Sequence, residues 1–200
     1  MSVTAQMVKE LREKCGAGMM DCKRALAETD GNMDEAVKLL RTKGMASADK
    51  KAARAANEGM IDSYIHGNGK IGVLVEINCE TDFVARNEAF RAFAHDVAMH
   101  IAASAPGYVR REDIPEDVVA GELEIYKAQA RETGKPENVL EKIAEGKVNK
   151  FYSQVVLLEQ PFVKDPDKTI DGLRRELVAK VGENIEVRRF SRYLLGQDTV

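Results

Sequence analysis

The sequence predicts an α+β fold: an N-terminal three-helix unit, then a small three-stranded antiparallel sheet packed with helices. Three observations predict it. Apolar residues recur three and four apart from residue 4 to residue 43. At Gly59 the period changes to two, on both sides of the turn residues GNG at 67–69. After further helical pattern, NIEVRRFSRYLL near the C-terminus returns to β-branched and aromatic strand character.

In chain order, Met7, Val8 and Leu11 share one face of a first helix, and CGAG at 15–18 breaks it. MMDCKRALAE reads as a second helix. TDGN at 29–32 is a turn, because Asp and Asn bond locally and Gly accepts positive φ. Met33, Ala36, Val37 and Leu40 define a third helix, closed by Gly44. This gives a docking unit over 1–44. The alanine-rich stretch at 45–57 reads as a linker helix. Residues 58–200 form the α+β core domain, to which the resemblance described below assigns dimerisation. There MIDSYIH and KIGVLVEIN make a hairpin, with Ile71, Val73, Val75 and Ile77 on one face. Phe90, Phe93, Ala94, Val97 and Ile101 mark an amphipathic helix ended by Pro106-Gly107. Pro115 starts another, running to about Thr133 with Gly134 as its cap. Pro136 starts a third that ends near Pro161. Thr169 caps a fourth, which stops at Gly182. The late strand slips its alternation at Arg188-Arg189, where a bulge would fit.

The 200 residues are 44% hydrophobic and 32% charged, with net charge −3, which describes a globular chain and argues against a general nucleic-acid binder. The first 56 residues carry +3 and the remainder −6, too mild a basic bias to imply phosphate binding. No secretory h-region and no membrane span is visible. Three cysteines without paired spacing point to a reducing, cytoplasmic setting.

The residues that could carry chemistry do not combine. Cys79, read on the polar-facing side of its strand by alternation, could be a nucleophile with His66, His95 or His100 as base, but no Cys-His signature surrounds it. His95 and His100 are five apart, not the four that puts two ligands on one helical face. GNGKIG has a lysine that opens a strand, whereas a phosphate loop opens a helix. The pairs Asp34-Glu35 and Glu116-Asp117 stand at helix starts, where they complement the helix dipole. We therefore expect a non-enzyme without cofactor or metal.

One corner stands apart. The strand stops at Asn78, and Thr81-Asp82-Phe83-Val84 follows before Asn87 caps a new helix. Thr81 or Asp82 could cap a turn with Phe83 tucked into the core; alternatively, Phe83 projects into a partner's pocket.

The stretches LREKCGAGMMDCKRAL (11–26) and EINCETDFVARN (76–87) resemble the two signature segments of bacterial translation elongation factor Ts. Similarity also runs through DVAMHIAAS, IAEGKVNKFYSQVVLLEQPFV and GENIEVRRFSRY, in the family's order and over nearly the whole chain. Cys15 departs from the usual threonine; if that threonine caps the second helix, Cys15 caps it less well. The resemblance is to the short form of the family, which implies a homodimer. It implies an N-terminal unit of ubiquitin-associated-like type. It also implies guanine-nucleotide exchange on elongation factor Tu: binding its GDP-bound and nucleotide-free forms, displacing Mg²⁺, and releasing GDP so that GTP can rebind. By the same resemblance Thr81, Asp82, Phe83 and Val84 contact the GTPase and dislocate its Mg²⁺. Leu11, Met19 and Met20 are candidate contacts of the N-terminal unit. No direct contact with nucleic acid or membrane is expected. The competing class is a helical adaptor joined to an unrelated α+β domain.

Overall fold

A computed structural model describes residues 3–132 and 137–197. Its described residues are mixed helix and sheet, with eight α-helices, an N-terminal helical unit, a three-stranded antiparallel sheet and a two-stranded one. Expectations that concern Thr133, Gly134 and Pro136 lie outside the described residues.

Local chemistry sets the first three helices. Thr4 caps α1 (Ala5–Cys15) by accepting from the Met7 N–H, and Gly16, with φ 67°, ends it. Asn32 caps α3 (Met33–Lys51) by accepting from the N–H groups of Asp34 and Glu35, each at 3.1 Å. Between them, α2 (Met19–Glu28) starts at Gly18 without a side-chain cap. Val8, Leu11, Cys22, Ala25, Leu26 and Ala36 form the buried core of this unit.

Gly44 does not close α3, which runs on to Lys51. A Cβ at Gly44 would stand 3.0 Å from the Ala179 methyl of α8 (Ile170–Val181), so the glycine serves a close helix approach rather than a stop. Cys15 does not cap α2 either. It is the last residue of α1, and its Sγ–H donates to the Leu11 carbonyl one turn back, at 2.9 Å.

The strands β1 (Glu58–His66) and β2 (Ile71–Cys79) meet at Gly67, Asn68 and Gly69, all at positive φ. The third strand, β5 (Ile185–Leu194), lies beside β2, giving the order β1-β2-β5. Val73, Val75, Ile77 and Cys79 are buried and Leu74 is exposed, as the period of two requires. In β5 the alternation of burial breaks at Arg188-Arg189.

Contacts group the chain into two compact units, and the units cut across β1, β2 and β5. The first comprises Met1–Ile61, Glu76–Ala94 and Gly172–Val187; the second comprises Asp62–Val75, His95–Asp171 and Arg188–Val200. In the first, Arg175 of α8 bonds Asp49 of α3 at 2.9 Å. In the second, α6 (Glu116–Arg131), which follows Pro115, packs along α7 (Glu137–Val155). The helix expected to reach Pro161 stops at Val155. A short hairpin of β3 (Pro161–Phe162) and β4 (Asp165–Thr169) then precedes α8. Two-residue strands are too short to carry a readable alternation. Between the remaining elements, α4 (Asp82–Ala85) is a single turn and α5 (Glu88–Ser104) buries Phe90, Ala94, Val97, Ala98 and Ile101.

Candidate functional site

The corner after β2 belongs to the first unit and is built by reciprocal hydrogen bonds. Gly182, with φ 82°, ends α8 and delivers Glu183 and Asn184 to the start of β5. One Glu183 carboxylate oxygen accepts from the N–H groups of Glu80 (3.1 Å) and Thr81 (3.0 Å). The other accepts from the Thr81 hydroxyl at 2.7 Å. In return, the Glu80 carboxylate accepts from the Asn184 N–H at 2.7 Å and pairs with Arg54 at 3.4 Å. Asn184 Nδ2 donates to the carbonyl of Arg54 at 2.8 Å. Charge-assisted bonds to backbone N–H groups are the stronger kind, and two segments a hundred residues apart are clamped by them.

Beneath the corner, Gly59 of β1 presses on β2. A Cβ there would stand 2.2 Å from the Ile77 carbonyl oxygen, at a φ of 145° that disfavours any side chain. Cys79 is wholly buried, and its Sγ–H donates to the Thr81 carbonyl at 3.1 Å.

On this base sits the single turn α4. Thr81 caps it by accepting from the Val84 N–H, and Asp82 pairs with Arg86 at 2.9 Å. Val84 turns inward and is buried, while Phe83 is 79% exposed. Asn87 Oδ1 then accepts from the Ala89 N–H at 2.9 Å, so Asn87 caps α5 as its position suggests. The tucked-in alternative for Phe83 is excluded: its ring lies in water. A stiff aromatic presented this way has its apolar burial still to gain, roughly 2–3 kcal/mol.

The N-terminal candidates divide. Met19 and Met20, in the first turn of α2, are 48% and 65% exposed. Leu11 must be corrected: it is fully enclosed in the three-helix core and presents nothing to a partner. Helical spacing placed it correctly on the core face with Val8, and that face is its role.

Cys79 is corrected too. It has the parity of Val73, Val75 and Ile77 and shares their buried face. Burial, then the nearby Glu183 carboxylate, pushes its thiol up to about 11. No histidine is bonded to it. His100 is buried instead, with Nδ1 accepting from the Val163 N–H and Nε2 bonded to Gln160 Oε1 at 2.9 Å. Because the Val163 N–H can only donate, Nδ1 accepts and Nε2 carries the proton that Gln160 Oε1 accepts; burial lowers this histidine's pKa. His95 contacts Asp62 at 3.3 Å. Among the described residues no group of three or more His, Cys, Asp or Glu is placed to hold a metal, and no helix is long and apolar enough to cross a membrane.

Glu183, Asn184, Glu80, Arg54 and Gly59, which build the corner, escaped the reading of residue types. Their pairing spans a long sequence separation and leaves no period. The sequence signal that reached Glu183, Asn184 and Glu80 was the similarity of GENIEVRRFSRY and EINCETDFVARN to one family; Arg54 and Gly59 lie outside both stretches.

The fold and corner therefore define an α+β chain with a projecting apolar knuckle. Comparison with known proteins agrees with the sequence resemblance. The family described as Elongation factor TS matches residues 3–176. Elongation factor Ts of Geobacter sulfurreducens is 61% identical over 197 residues, covering 98% of this chain and 91% of the relative. The proteins of the same name from Geobacter metallireducens and Carboxydothermus hydrogenoformans are 63% and 60% identical, over 98% of this chain and 91% and 90% of theirs. The chain belongs to the elongation factor Ts family.

Proposed function

We propose that this chain is a guanine-nucleotide exchange factor for elongation factor Tu in the bacterial cytoplasm, acting by binding and not by bond chemistry. The observation that carries the reading is Phe83, exposed on a single helical turn whose backbone is clamped by Glu183. A loose aromatic would lose entropy on docking; a clamped one loses little. Family membership supplies the partner.

Phe83 enters the GTPase domain as an apolar wedge, with Asp82 oriented beside it and Thr81 and Val84 fixing the turn. The displacement reaches the partner's Mg²⁺ site. Mg²⁺ neutralises much of the phosphate charge, so its loss weakens GDP binding. Factor and nucleotide then weaken each other reciprocally, and the mutual distortion in the ternary state lowers the barrier to GDP departure. GTP rebinds and expels the factor. Met19 and Met20 supply adaptable apolar contacts from the N-terminal unit.

The partner set includes a second copy of this chain. In the second unit, three residues point away from the helix-covered side of the sheet. Tyr64 packs its ring on His95 of α5, so Ile65 points outward. Val73 and Val75 are buried, so Leu74 points outward. Arg192 donates to the Ala102 carbonyl of α5, so Tyr193 points outward. Ile65, Leu74 and Tyr193 are all at least half exposed, and Gly72 leaves room for Ile65 beside them. Such an apolar sheet face suits a self-complementary interface.

The test of function is release of fluorescent GDP from elongation factor Tu, followed by stopped flow in excess unlabelled nucleotide. The expected result is an acceleration that saturates with factor concentration. A folded chain that leaves the release rate unchanged would refute the exchange reading.

A further inference from the structure

The three-helix unit packs on itself. Its buried residues and the partly buried hydrophobics around them all come from residues 3–40. That core does not decide where Met19 and Met20 face relative to Phe83. Contacts with α8, and with the residues that follow it, do. The Lys180 side chain lies over Gly16, where an added Cβ would stand 3.4 Å from its Cδ. Ala179 stands against Gly44, and Arg175 pairs with Asp49 at 2.9 Å. The chain then leaves α8 through Gly182 and reaches Asn184, which is 3% exposed. Its Nδ2 donates to the carbonyls of Arg54 at 2.8 Å and Ala52 at 3.4 Å, just past the end of α3. Its backbone N–H donates to Glu80 at 2.7 Å, at the base of the Phe83 turn. All these residues belong to the first compact unit. A buried amide bonded on both sides is a fixed joint, because either side can leave only by stranding polar groups.

We propose that α8 and the Asn184 joint hold the three-helix unit and the Phe83 turn at one fixed spacing, so that Met19, Met20 and Phe83 dock on one partner molecule as a single rigid surface. The inference rests on the exchange reading above. Asn184 is a positioning residue, acting through where it holds two apolar contacts. Once Phe83 has docked, the two methionines meet the partner at high effective concentration, and no swing of the N-terminal unit has to be frozen. Loss of the joint leaves both contacts in place but makes them independent, which weakens capture of the partner.

The experiment locks the spacing covalently. Gly44→Cys with Ala179→Cys sets two Cβ atoms at 3.0 Å, within about half an ångström of the range a disulfide spans. Cys15→Ser removes the partly exposed native thiol, while Cys22 and Cys79 are buried. Oxidised and reduced forms of this full-length chain are compared in stopped-flow release of fluorescent GDP from elongation factor Tu, over a range of factor concentrations. Oxidation should leave the half-saturating concentration unchanged, because the locked spacing is the one that docks. Adding Asn184→Ala should raise that concentration about tenfold in the reduced chain, and oxidation should bring it back. A merely structural loss would lower the maximal rate alike in both forms. Two results overturn the proposal. One is a locked chain that loses exchange and regains it on reduction. The other is an Asn184→Ala chain whose half-saturating concentration never rises, or stays raised after locking. The first comparison keeps the native joint, so it decides the matter even if Asn184→Ala does not fold. A wild type that accelerates no release refutes the exchange reading and this proposal with it; failure of the joint alone appears with exchange intact.

Discussion

Phe83 holds its ring in water because its neighbours leave it no inward route. Val84 takes the buried side of the turn, and Thr81 is pinned by Glu183. Phe83→Ala should therefore alter stability by less than about 0.5 kcal/mol, as exposed substitutions do. A urea melt beside the exchange assay checks this. Glu183 behaves oppositely. Glu183→Ala leaves the N–H groups of Glu80 and Thr81 without their acceptor, which costs about 1–3 kcal/mol in the same melt. It should impair exchange as well, through the turn that Glu183 holds. Glu183→Gln keeps one acceptor oxygen and recovers part of both. Much of the corner was legible in the residues: the interrupted pattern after Asn78, the cap at Asn87, the odd position of Phe83. The clamp was not, since a carboxylate at 183 serving N–H groups at 80 and 81 obeys no local rule. Leu11 shows the other limit. Helical spacing put it on the core face, yet resemblance alone had offered it to a partner.

At the scale of elements, glycine positions separate ends from approaches. Gly16 and Gly182 do end helices, with φ of 67° and 82°. Gly44 does not, because nothing in a lone sequence reveals that Ala179 will stand against it. Gly59 is the most constrained of these. Gly59→Ala forces a Cβ onto the Ile77 carbonyl at an unfavourable φ and should destabilise by about 3 kcal/mol, read as a lowered urea midpoint. The β3–β4 hairpin is held partly by His100, which the sequence reading had weighed as a base or ligand. Its lowered pKa makes a signed prediction. The unfolded chain binds a proton near the ordinary value of 6.5, and the folded chain binds it only at lower pH. The stability this contributes is complete above that value and is lost as pH falls below it, because the unfolded state then binds more protons. His100→Gln should flatten the fall of the urea midpoint below about pH 6.5, while lowering the midpoint at neutral pH.

For the whole molecule, the three-stranded antiparallel sheet and the helical N-terminus were readable because periods of 3.6 and 2 are local properties of the chain. How the chain is shared between compact units was not readable. Segments 76–94 and 172–187 join the N-terminal helices through contacts distant in sequence. Self-association belongs to this scale. Leu74→Asp places a charge on the outward face of β2, where the side chain is half exposed. The variant should fold with a near-normal melt and sediment as a monomer, whereas the proposal expects the wild type to sediment as a dimer. A wild type that sediments as a monomer at micromolar concentration would remove the second copy from the proposal.

The most direct test of the central claim compares wild type, Phe83→Leu and Phe83→Ala in stopped-flow release of fluorescent GDP from elongation factor Tu. Each variant is first shown to melt as the wild type does. If the clamped ring drives exchange, Phe83→Ala loses on the order of 30-fold in acceleration, the equivalent of about 2 kcal/mol. Phe83→Leu, which keeps apolar volume, falls between. Chelating Mg²⁺ beforehand narrows the gap, because the step the ring performs has already been done. Equal acceleration by all three chains would contradict the account and move the active surface away from Phe83.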